Sequence, residues 1–287
     1  MGSAAAIRDF HRDATIVFLT APAYADFARQ APYFDEVWVD ERPGWNGPGG
    51  LLRLIGRLRA GRFDRVYDLQ TRARTSLYFW LMGRPRWSGT AAGASYRHDN
   101  PERRTMHTLD READQLRRAG IPGAARRPDL SWAKADTARF ALPPAYVLLI
   151  PGGAAHRPKK RWPVERFAEL AARIAAAGLA PVLIGGPDER GLGQTIAARV
   201  PQAHDLIGRT DFADIVALAR AARRAIGNDT GPMHLAVAGG APATVLYSAA
   251  SDPALTAPRG DDVAIPRVDN LADLSVDEVA GTLDLGA

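Results

Sequence analysis

The chain has 287 residues, no cysteine and a formal net charge of +5 at pH 7, and 46% of its residues are hydrophobic. This composition excludes a disordered protein and supports one large domain or two of ordinary size. The absence of cysteine excludes disulfides and thiolate chemistry and is compatible with a reducing compartment.

The composition also indicates where the protein is found in the cell and which classes of partner it binds. No apolar stretch is long enough to span a bilayer and no signal peptide is recognisable, so we expect a cytoplasmic protein. The arginines are spread among alanines, without an aromatic-flanked basic stripe or zinc-finger spacing, so we expect no nucleic-acid partner. A cationic face for an acidic small molecule or lipid head group, with peripheral contact at the inner membrane, is compatible with the charge.

The first half of the chain alternates helices and strands. Periodicity and breaker residues predict helices at 4–11, 23–30, 51–59, 76–82 and 107–119, and strands at 14–19, 36–40 and 65–70. Arg72 and Arg74 follow the last of these strands, and parallel sheets bind ligands at the carboxyl ends of their strands. The two arginines are therefore candidates for binding an anionic acceptor, the alternative being two solvated arginines at a helix start.

A polar, proline-containing stretch from Arg126 to Pro144 is the best linker candidate. We place the domain boundary near Pro143, with domains at 1–143 and 144–287. The second half again alternates, with strands predicted at 146–151, 180–185, 204–207, 223–227 and 244–248 and helices at 164–177, 191–199, 212–222 and 274–283. Two alternating halves predict two Rossmann-like α/β domains.

Two of the three lysines in the chain, Lys159 and Lys160, lie in one loop, 152–163. Lysine is a compact point charge suited to a phosphate or a leaving group, whereas arginine favours planar bidentate partners. In a chain that otherwise uses arginine, this choice points to a role in binding. Solvated loop lysines are the alternative.

A strand, a sharp loop and a helix are predicted around Asp229. Asp229 and Thr230 are good N-caps, Gly231 allows close backbone approach, and Pro232 suits the first helical position. Unpaired amides and the positive dipole end at such a helix start favour a phosphate, and His234 falls on the first turn. A well-capped helix without a ligand is the alternative.

The whole string Asp229-Thr-Gly-Pro-Met-His-Leu-Ala236, followed by Gly-Ala-Pro and an apolar strand, resembles the donor-binding motif of glycosyltransferase family 9, the ADP-heptose:lipopolysaccharide heptosyltransferases. Lys159-Lys-Arg-Trp-Pro163 resembles a second hallmark of that family. The resemblance implies a GT-B fold, in which two Rossmann-like domains face a cleft.

The resemblance also implies a reaction, an inverting transfer of heptose from ADP-heptose to an anionic glycolipid acceptor of the lipopolysaccharide-core type, without a metal or cofactor. Lys160 would stabilise the leaving diphosphate together with the amides of Thr230 and Gly231, Asp229 would cap the helix or bind sugar hydroxyls, and Arg72 and Arg74 would bind the acceptor. The implied donor-binding residues are Asp229, Thr230, Gly231, Pro232, Met233, His234, Lys159 and Gly152.

The family pattern opens with an apolar strand and a Gly-Asp loop, whose aspartate is the expected general base. The present chain begins at the helix that follows, so we expect the first domain to lack its first strand and the general base to be absent. Three other functions stay open: a binding-only relative that holds a sugar nucleotide without turnover, a basic nucleic-acid-binding protein on a Rossmann scaffold, and a GT-B sugar-nucleotide epimerase.

Overall fold

The computed structural model describes residues 1–42, 48–123, 125–153 and 157–283. It divides into two compact units, Met1–Pro128 and Asp129–Ala287. The division falls within the polar stretch predicted as the linker, and the boundary near Pro143 stays a prediction. No helix of the described residues is both long and apolar enough to cross a membrane.

The first unit is built from short parallel strands with helices between them. The elements are α1 (Gly2–Phe10), β1 (Val17–Thr20), α2 (Pro22–Arg29), β2 (Glu36–Val39), α3 (Pro48–Ala60), β3 (Val66–Tyr67), α4 (Ala73–Leu81), β4 (Trp87–Gly89), β5 (Tyr96–Arg97) and α5 (Thr108–Arg118). Strand β1 pairs with β2, and β3, β4 and β5 form a second ladder. In the described residues no pairing joins β1 to β3, and the expected lack of a first strand stays a prediction.

The elements of the second unit are β6 (Tyr146–Ile150), α6 (Val164–Ala176), β7 (Ala180–Leu183), α7 (Arg190–Arg199), β8 (His204–Asp205), α8 (Phe212–Ala221), β9 (Arg224–Asn228), α9 (Gly231–Ala238), β10 (Ala243–Ser248), α10 (Pro253–Thr256), β11 (Val263–Ala264), β12 (Arg267–Val268) and α11 (Val276–Ala280). Its strands form a parallel sheet with the order β11-β10-β9-β6-β7-β8, and β12 also pairs with β10.

Burial explains why the strands of this second sheet are apolar throughout. Every residue of β6, β7 and β10 is buried, and separate apolar clusters cover the two faces of the sheet. A parallel sheet covered on both faces requires such continuous apolar strands. Strands β6 and β9 are parallel neighbours, so their carboxyl ends lie beside each other at one edge of the sheet. The predicted lysine loop follows β6 at this edge, and the predicted helix follows β9.

The structure differs from the predicted elements mainly in length. The strand predicted at 65–70 is only Val66–Tyr67, because Asp68 turns inward to bind the backbone of Thr71. The closing helix is only Val276–Ala280 and packs against α6 in the second unit. Sequence periodicity missed the short strands β4, β5, β11 and β12, which have two or three residues each.

Candidate functional site

The predicted helix start lies at the carboxyl end of β9. Helix α9 begins at Gly231, Thr230 is its extended N-cap residue, and Pro232 lies in the first turn. The Thr230 side chain makes no capping hydrogen bond, and its Oγ1 atom is buried without a partner among the described residues. A buried hydroxyl without a partner beside a helix N-terminus marks a place where a ligand oxygen can bind.

Thr230, and not Asp229, is the N-cap residue of this helix, and the other expected role of Asp229, binding of sugar hydroxyls, stays a prediction. Lys160 Nζ lies 2.8 Å from Asp229 Oδ2, Ser251 Oγ donates to the same oxygen at 2.8 Å, and the Tyr247 hydroxyl donates to Oδ1 at 3.0 Å. His234 Nε2 lies 3.7 Å from Oδ1. Side chains from four separate segments therefore converge on one carboxylate.

The ionisation of Asp229 follows from these contacts. Burial alone would raise the pKa of Asp229, but interactions with His234, Lys160 and Ser251 outweigh burial and hold the pKa well below its ordinary value of 3.8. Burial and the Asp229 charge both raise the pKa of Tyr247, which stays a neutral donor. Asp229 is thus a fixed anion, and it orients the lysine ammonium.

Asn228 joins the loops that form the site. Its side-chain amide donates to the carbonyls of Pro151 and Gly152 at 2.9 and 3.0 Å, and its Oδ1 accepts from the Trp162 amide at 2.9 Å. Asn228 is fully buried, so each of these bonds lies away from water. One side chain at the end of β9 therefore fixes both ends of the lysine loop, whose residues 154–156 lie outside the described residues.

A second carboxylate, Glu189, lies at the ends of β6 and β7. It accepts from the amides of Gly153 at 2.6 Å and Gly186 at 2.8 Å. A Cβ atom at Gly152 would overlap the Glu189 carboxylate, so a larger residue there would have to displace that carboxylate from the amides it binds. Gly152 therefore acts in the described structure as a packing position beside the site.

A cavity of about 460 Å³ opens at the N-terminal end of α9. Five of the residues predicted from the sequence line it, namely Lys160, Asp229, Thr230, Gly231 and His234. The other lining residues are Arg157, Ala250, Ser251, Asp252, Leu255 and Thr256. The remaining predicted donor-binding residues do not belong to the described lining of the cavity, namely Gly152, Lys159, Pro232 and Met233. Met233 is buried in the core, and Lys159 is exposed.

The sequence model of glycosyltransferase family 9 (heptosyltransferase) matches residues 51–279. The chain belongs to glycosyltransferase family 9. This membership confirms both the family resemblance and the enzyme class predicted from the sequence, a glycosyltransferase.

Two curated relatives of this family 9 chain are lipopolysaccharide-related enzymes. The chain is 28% identical over 246 residues to lipopolysaccharide heptosyltransferase 2 of Escherichia coli, an alignment that covers 76% of this chain and 69% of the relative. It is 32% identical over 121 residues to lipooligosaccharide heptosyltransferase 2 of Haemophilus influenzae, covering 40% of this chain. That second match spans only 35% of the Haemophilus protein, about a third of its length.

The fold of the family 9 chain is similar to that of a solved enzyme. The structure of the E. coli ADP-heptose lipopolysaccharide heptosyltransferase II superposes with a TM-score of 0.80 at 21% identity, covering 98% of this chain and 92% of that one. At this identity the likeness concerns the fold, and it confirms the predicted GT-B class.

In the first unit the two predicted acceptor-binding arginines have different surroundings. Arg74 lies 3.2 Å from Asp40 and also donates to the Tyr78 hydroxyl, so these two partners orient its guanidinium. Arg72 is exposed at the N-cap of α4. Burial and the Asp40 hydrogen bond raise the pKa of Tyr78 to about 12, so this phenol serves as a neutral donor.

Sequence reasoning did not select Asn228, Glu189, Arg157, Tyr247 or Ser251. The signal available for Asn228 was a polar residue directly after the apolar run 225–227 of β9. Among the described residues no group of three or more His, Cys, Asp or Glu side chains could hold a metal ion.

Proposed function

We propose that this chain transfers a heptose from ADP-heptose to a lipopolysaccharide-core-type acceptor with inversion at the anomeric carbon. The observation that carries the proposal is the single cavity in which Lys160, the unpartnered Thr230 hydroxyl and the N-terminus of α9 meet. These are positive charge and hydrogen-bond donors held in place before any ligand binds. The ADP-heptose named for the E. coli enzyme supports the choice of donor.

In the proposed reaction the acceptor hydroxyl oxygen attacks the anomeric carbon, and the bond from that carbon to the β-phosphate oxygen breaks. The electron pair leaves on ADP, whose new negative charge develops beside Lys160 Nζ and the first turn of α9. Preorganised donors at such a place lower the barrier, and removal of one typically costs about 2.7–4 kcal/mol. We assign no residue of this chain as the base that takes the hydroxyl proton.

Asp229 holds Lys160 ready for this role. The pair is only 16% and 10% exposed on its two side chains, so the lysine loses little rotamer freedom when the diphosphate binds. The predicted donor-binding role of His234 fits its partly exposed ring at the cavity wall. We propose that Lys160 and the helix N-terminus supply the charge that a divalent metal supplies in other transferases, so that the reaction needs no metal.

The test is an assay of the full chain with ADP-heptose and heptose-deficient lipopolysaccharide, with and without EDTA. We expect ADP release, a glycolipid that gains one heptose by mass spectrometry, and a product linkage of inverted configuration by NMR, all unaffected by EDTA. Saturable ADP-heptose binding without any product would support the binding-only relative instead. Epimerised donor formed without acceptor would identify an epimerase.

We also propose that the first unit contacts an anionic membrane surface through α3 and α4. The two helices pack together through a shared apolar cluster, and Arg59 Nε donates to the Leu81 carbonyl at 2.6 Å. Neither helix contains an acidic residue. Leu52 is 71% exposed and Trp80 is 43% exposed, with the Arg84 guanidinium 4.1 Å from the centre of the Trp80 ring. Exposed apolar side chains among arginines favour an anionic lipid surface.

A further inference from the structure

Tyr247 lies beside Asp229 at the edge of the second sheet. The last pair of the β9–β10 ladder joins Leu246 to Asn228. Tyr247 is the next residue after the first of these, and Asp229 is the next residue after the second. On its other side Tyr247 pairs with Arg267 of β12. Neighbouring strands on both sides therefore fix the backbone of Tyr247, from which its side chain extends to Asp229.

The Tyr247 ring is held in place by packing. Its side chain is fully buried and belongs to the apolar cluster on one face of the sheet. Its hydroxyl donates to Asp229 Oδ1 at 3.0 Å. Burial and the Asp229 charge raise the pKa of Tyr247, so the phenol keeps its proton and donates it to the carboxylate at neutral pH. A buried ring of this kind is a rigid hydrogen-bond donor.

The two oxygens of the Asp229 carboxylate have different partners. Oδ2 accepts from Lys160 Nζ and from Ser251 Oγ, each at 2.8 Å. Oδ1 accepts from Tyr247, whereas His234 Nε2 lies 3.7 Å away, beyond hydrogen-bond distance. The terminal torsion of an aspartate side chain has broad energy wells, so the carboxylate turns easily unless it is held. The Tyr247 hydroxyl on Oδ1 therefore keeps Oδ2 directed at Lys160.

We infer that Tyr247 is a positioning residue for the proposed reaction, and that it acts through Asp229 to hold the Lys160 ammonium where the leaving diphosphate develops its charge. Tyr247 does not belong to the described lining of the cavity, so it acts without touching the donor. A cation that is already oriented needs no reorganisation at the moment of reaction, and this lowers the barrier. The inference rests on the proposed function.

The kinetic test compares Tyr247→Phe with Tyr146→Phe. Tyr146 is buried in the same apolar cluster, and its hydroxyl donates to the Leu218 carbonyl at 2.7 Å. Each variant thus removes one hydrogen-bonded phenol hydroxyl and keeps the buried ring. We expect Tyr247→Phe to lower kcat for heptose transfer about tenfold, as for loss of a hydrogen bond to a charged group, and Tyr146→Phe to keep the wild-type kcat. Wild-type kcat in Tyr247→Phe, or an equal loss in Tyr146→Phe, would overturn the inference.

A double-variant cycle tests whether Tyr247 acts through Lys160. If it does, Tyr247→Phe should cause no further loss of kcat when Lys160 has already been replaced by alanine, because the group that Tyr247 positions is gone. Circular dichroism of each variant checks that the chain is folded. The same tenfold loss with and without Lys160→Ala would contradict the inference, since the two residues would then act independently.

A second measurement does not depend on catalysis. The chain has three lysines, so protein labelled with ¹⁵N-lysine gives few ammonium signals by NMR, and Lys160→Arg identifies the signal of Lys160. We expect the Lys160 ammonium to exchange its protons with water about tenfold faster in Tyr247→Phe than in wild type, and at the wild-type rate in Tyr146→Phe.

An unchanged exchange rate of Lys160 in Tyr247→Phe would overturn the inference, as would a wild-type rate as fast as that of the exposed Lys134. Absence of heptose transfer by the wild type would refute the proposed function. The exchange rates would still decide whether Tyr247 holds the ion pair between Asp229 and Lys160.

Discussion

Lys160 Nζ lies 2.8 Å from Asp229 Oδ2, although 69 positions separate the two residues in the chain. The pair joins the loop after β6 to the loop after β9, which are neighbouring strands of one parallel sheet. Parallel sheets gather strand ends in this way, and ligands bind there. The ion pair therefore places a cation at the mouth of the cavity before substrate arrives.

Asp229→Asn should change how stability depends on pH. Because the folded pKa of Asp229 is depressed below 3.8, its carboxylate stabilises the fold above that pH, and this contribution is lost as pH falls from about 4 towards the folded pKa. Wild type should therefore exceed the variant in Tm at pH 7, and the difference should shrink below pH 4. Thermal unfolding across pH 2–7 checks this, and a pH-independent difference would show that Asp229 does not titrate as the contacts require.

Thr230→Val should separate stability from binding. The variant removes a buried hydroxyl that has no partner in the described structure, so Tm should not fall, while the Kd for ADP should rise about tenfold. Thr244→Val is the control, because Thr244 Oγ1 is buried and bonded to Thr282 Oγ1 at 2.7 Å. That control should lose about 1 kcal/mol of stability and keep its ADP affinity. Calorimetric titration measures the Kd for ADP of both variants, and thermal unfolding measures their stability.

Asn228→Ala should weaken both the fold and the site. Three buried backbone groups lose their partner, and each group left unsatisfied costs about 1–3 kcal/mol. Because partial relaxation of the structure limits this cost, we expect the free energy of unfolding to fall by roughly 2–4 kcal/mol. Asn270→Ala removes an exposed cap from a short turn and should cost no more than about 1 kcal/mol. Urea unfolding measures the free energy of unfolding of both variants. An equal, small loss in the two variants would mean that Asn228 does not join the loops.

The double variant Leu52→Glu, Trp80→Glu should reduce binding to phosphatidylglycerol-containing vesicles, because it places acidic groups on the face of α3 and α4 that lacks them. Tyr24→Glu, which changes an aromatic residue that is 52% exposed on α2, is the control. Co-sedimentation at low salt measures the bound fraction. Equal binding of wild type and double variant would exclude this face as the membrane-binding surface. Wild type that binds purely zwitterionic vesicles to the same extent as anionic ones would exclude a role of charge in the binding.

Sequence predicted well what depends on local pattern. Continuous apolar strands and amphipathic helices gave the Rossmann-like alternation, and one contiguous motif placed Asp229, Thr230, Gly231 and His234 together. Lys160 could be selected because lysine is rare in this chain. Strands β4, β5, β11 and β12 escaped prediction because, at two or three residues each, they are too short for periodicity to register.

What the sequence left open depends on packing between distant residues. Arg72 and Arg74 look alike in the sequence, yet only Arg74 faces Asp40, which lies 34 positions away. Likewise, the contacts of Asp229 with Tyr247 and Ser251 arise from the next strand and its loop, and no local spacing announces them. Side-chain partners of this kind follow from tertiary structure, which overrides local pattern.

The most direct test of the account is the rate of heptose transfer from ADP-heptose by Lys160→Ala, compared with wild type and with Lys134→Ala, which removes an exposed lysine of the same unit. We predict that Lys160→Ala lowers kcat about 10²–10³-fold while its circular dichroism stays that of the folded chain, because one donor to the leaving diphosphate is gone. Lys134→Ala should transfer at the wild-type rate. Wild-type turnover in a folded Lys160→Ala variant would contradict the central claim and remove Lys160 from the reaction.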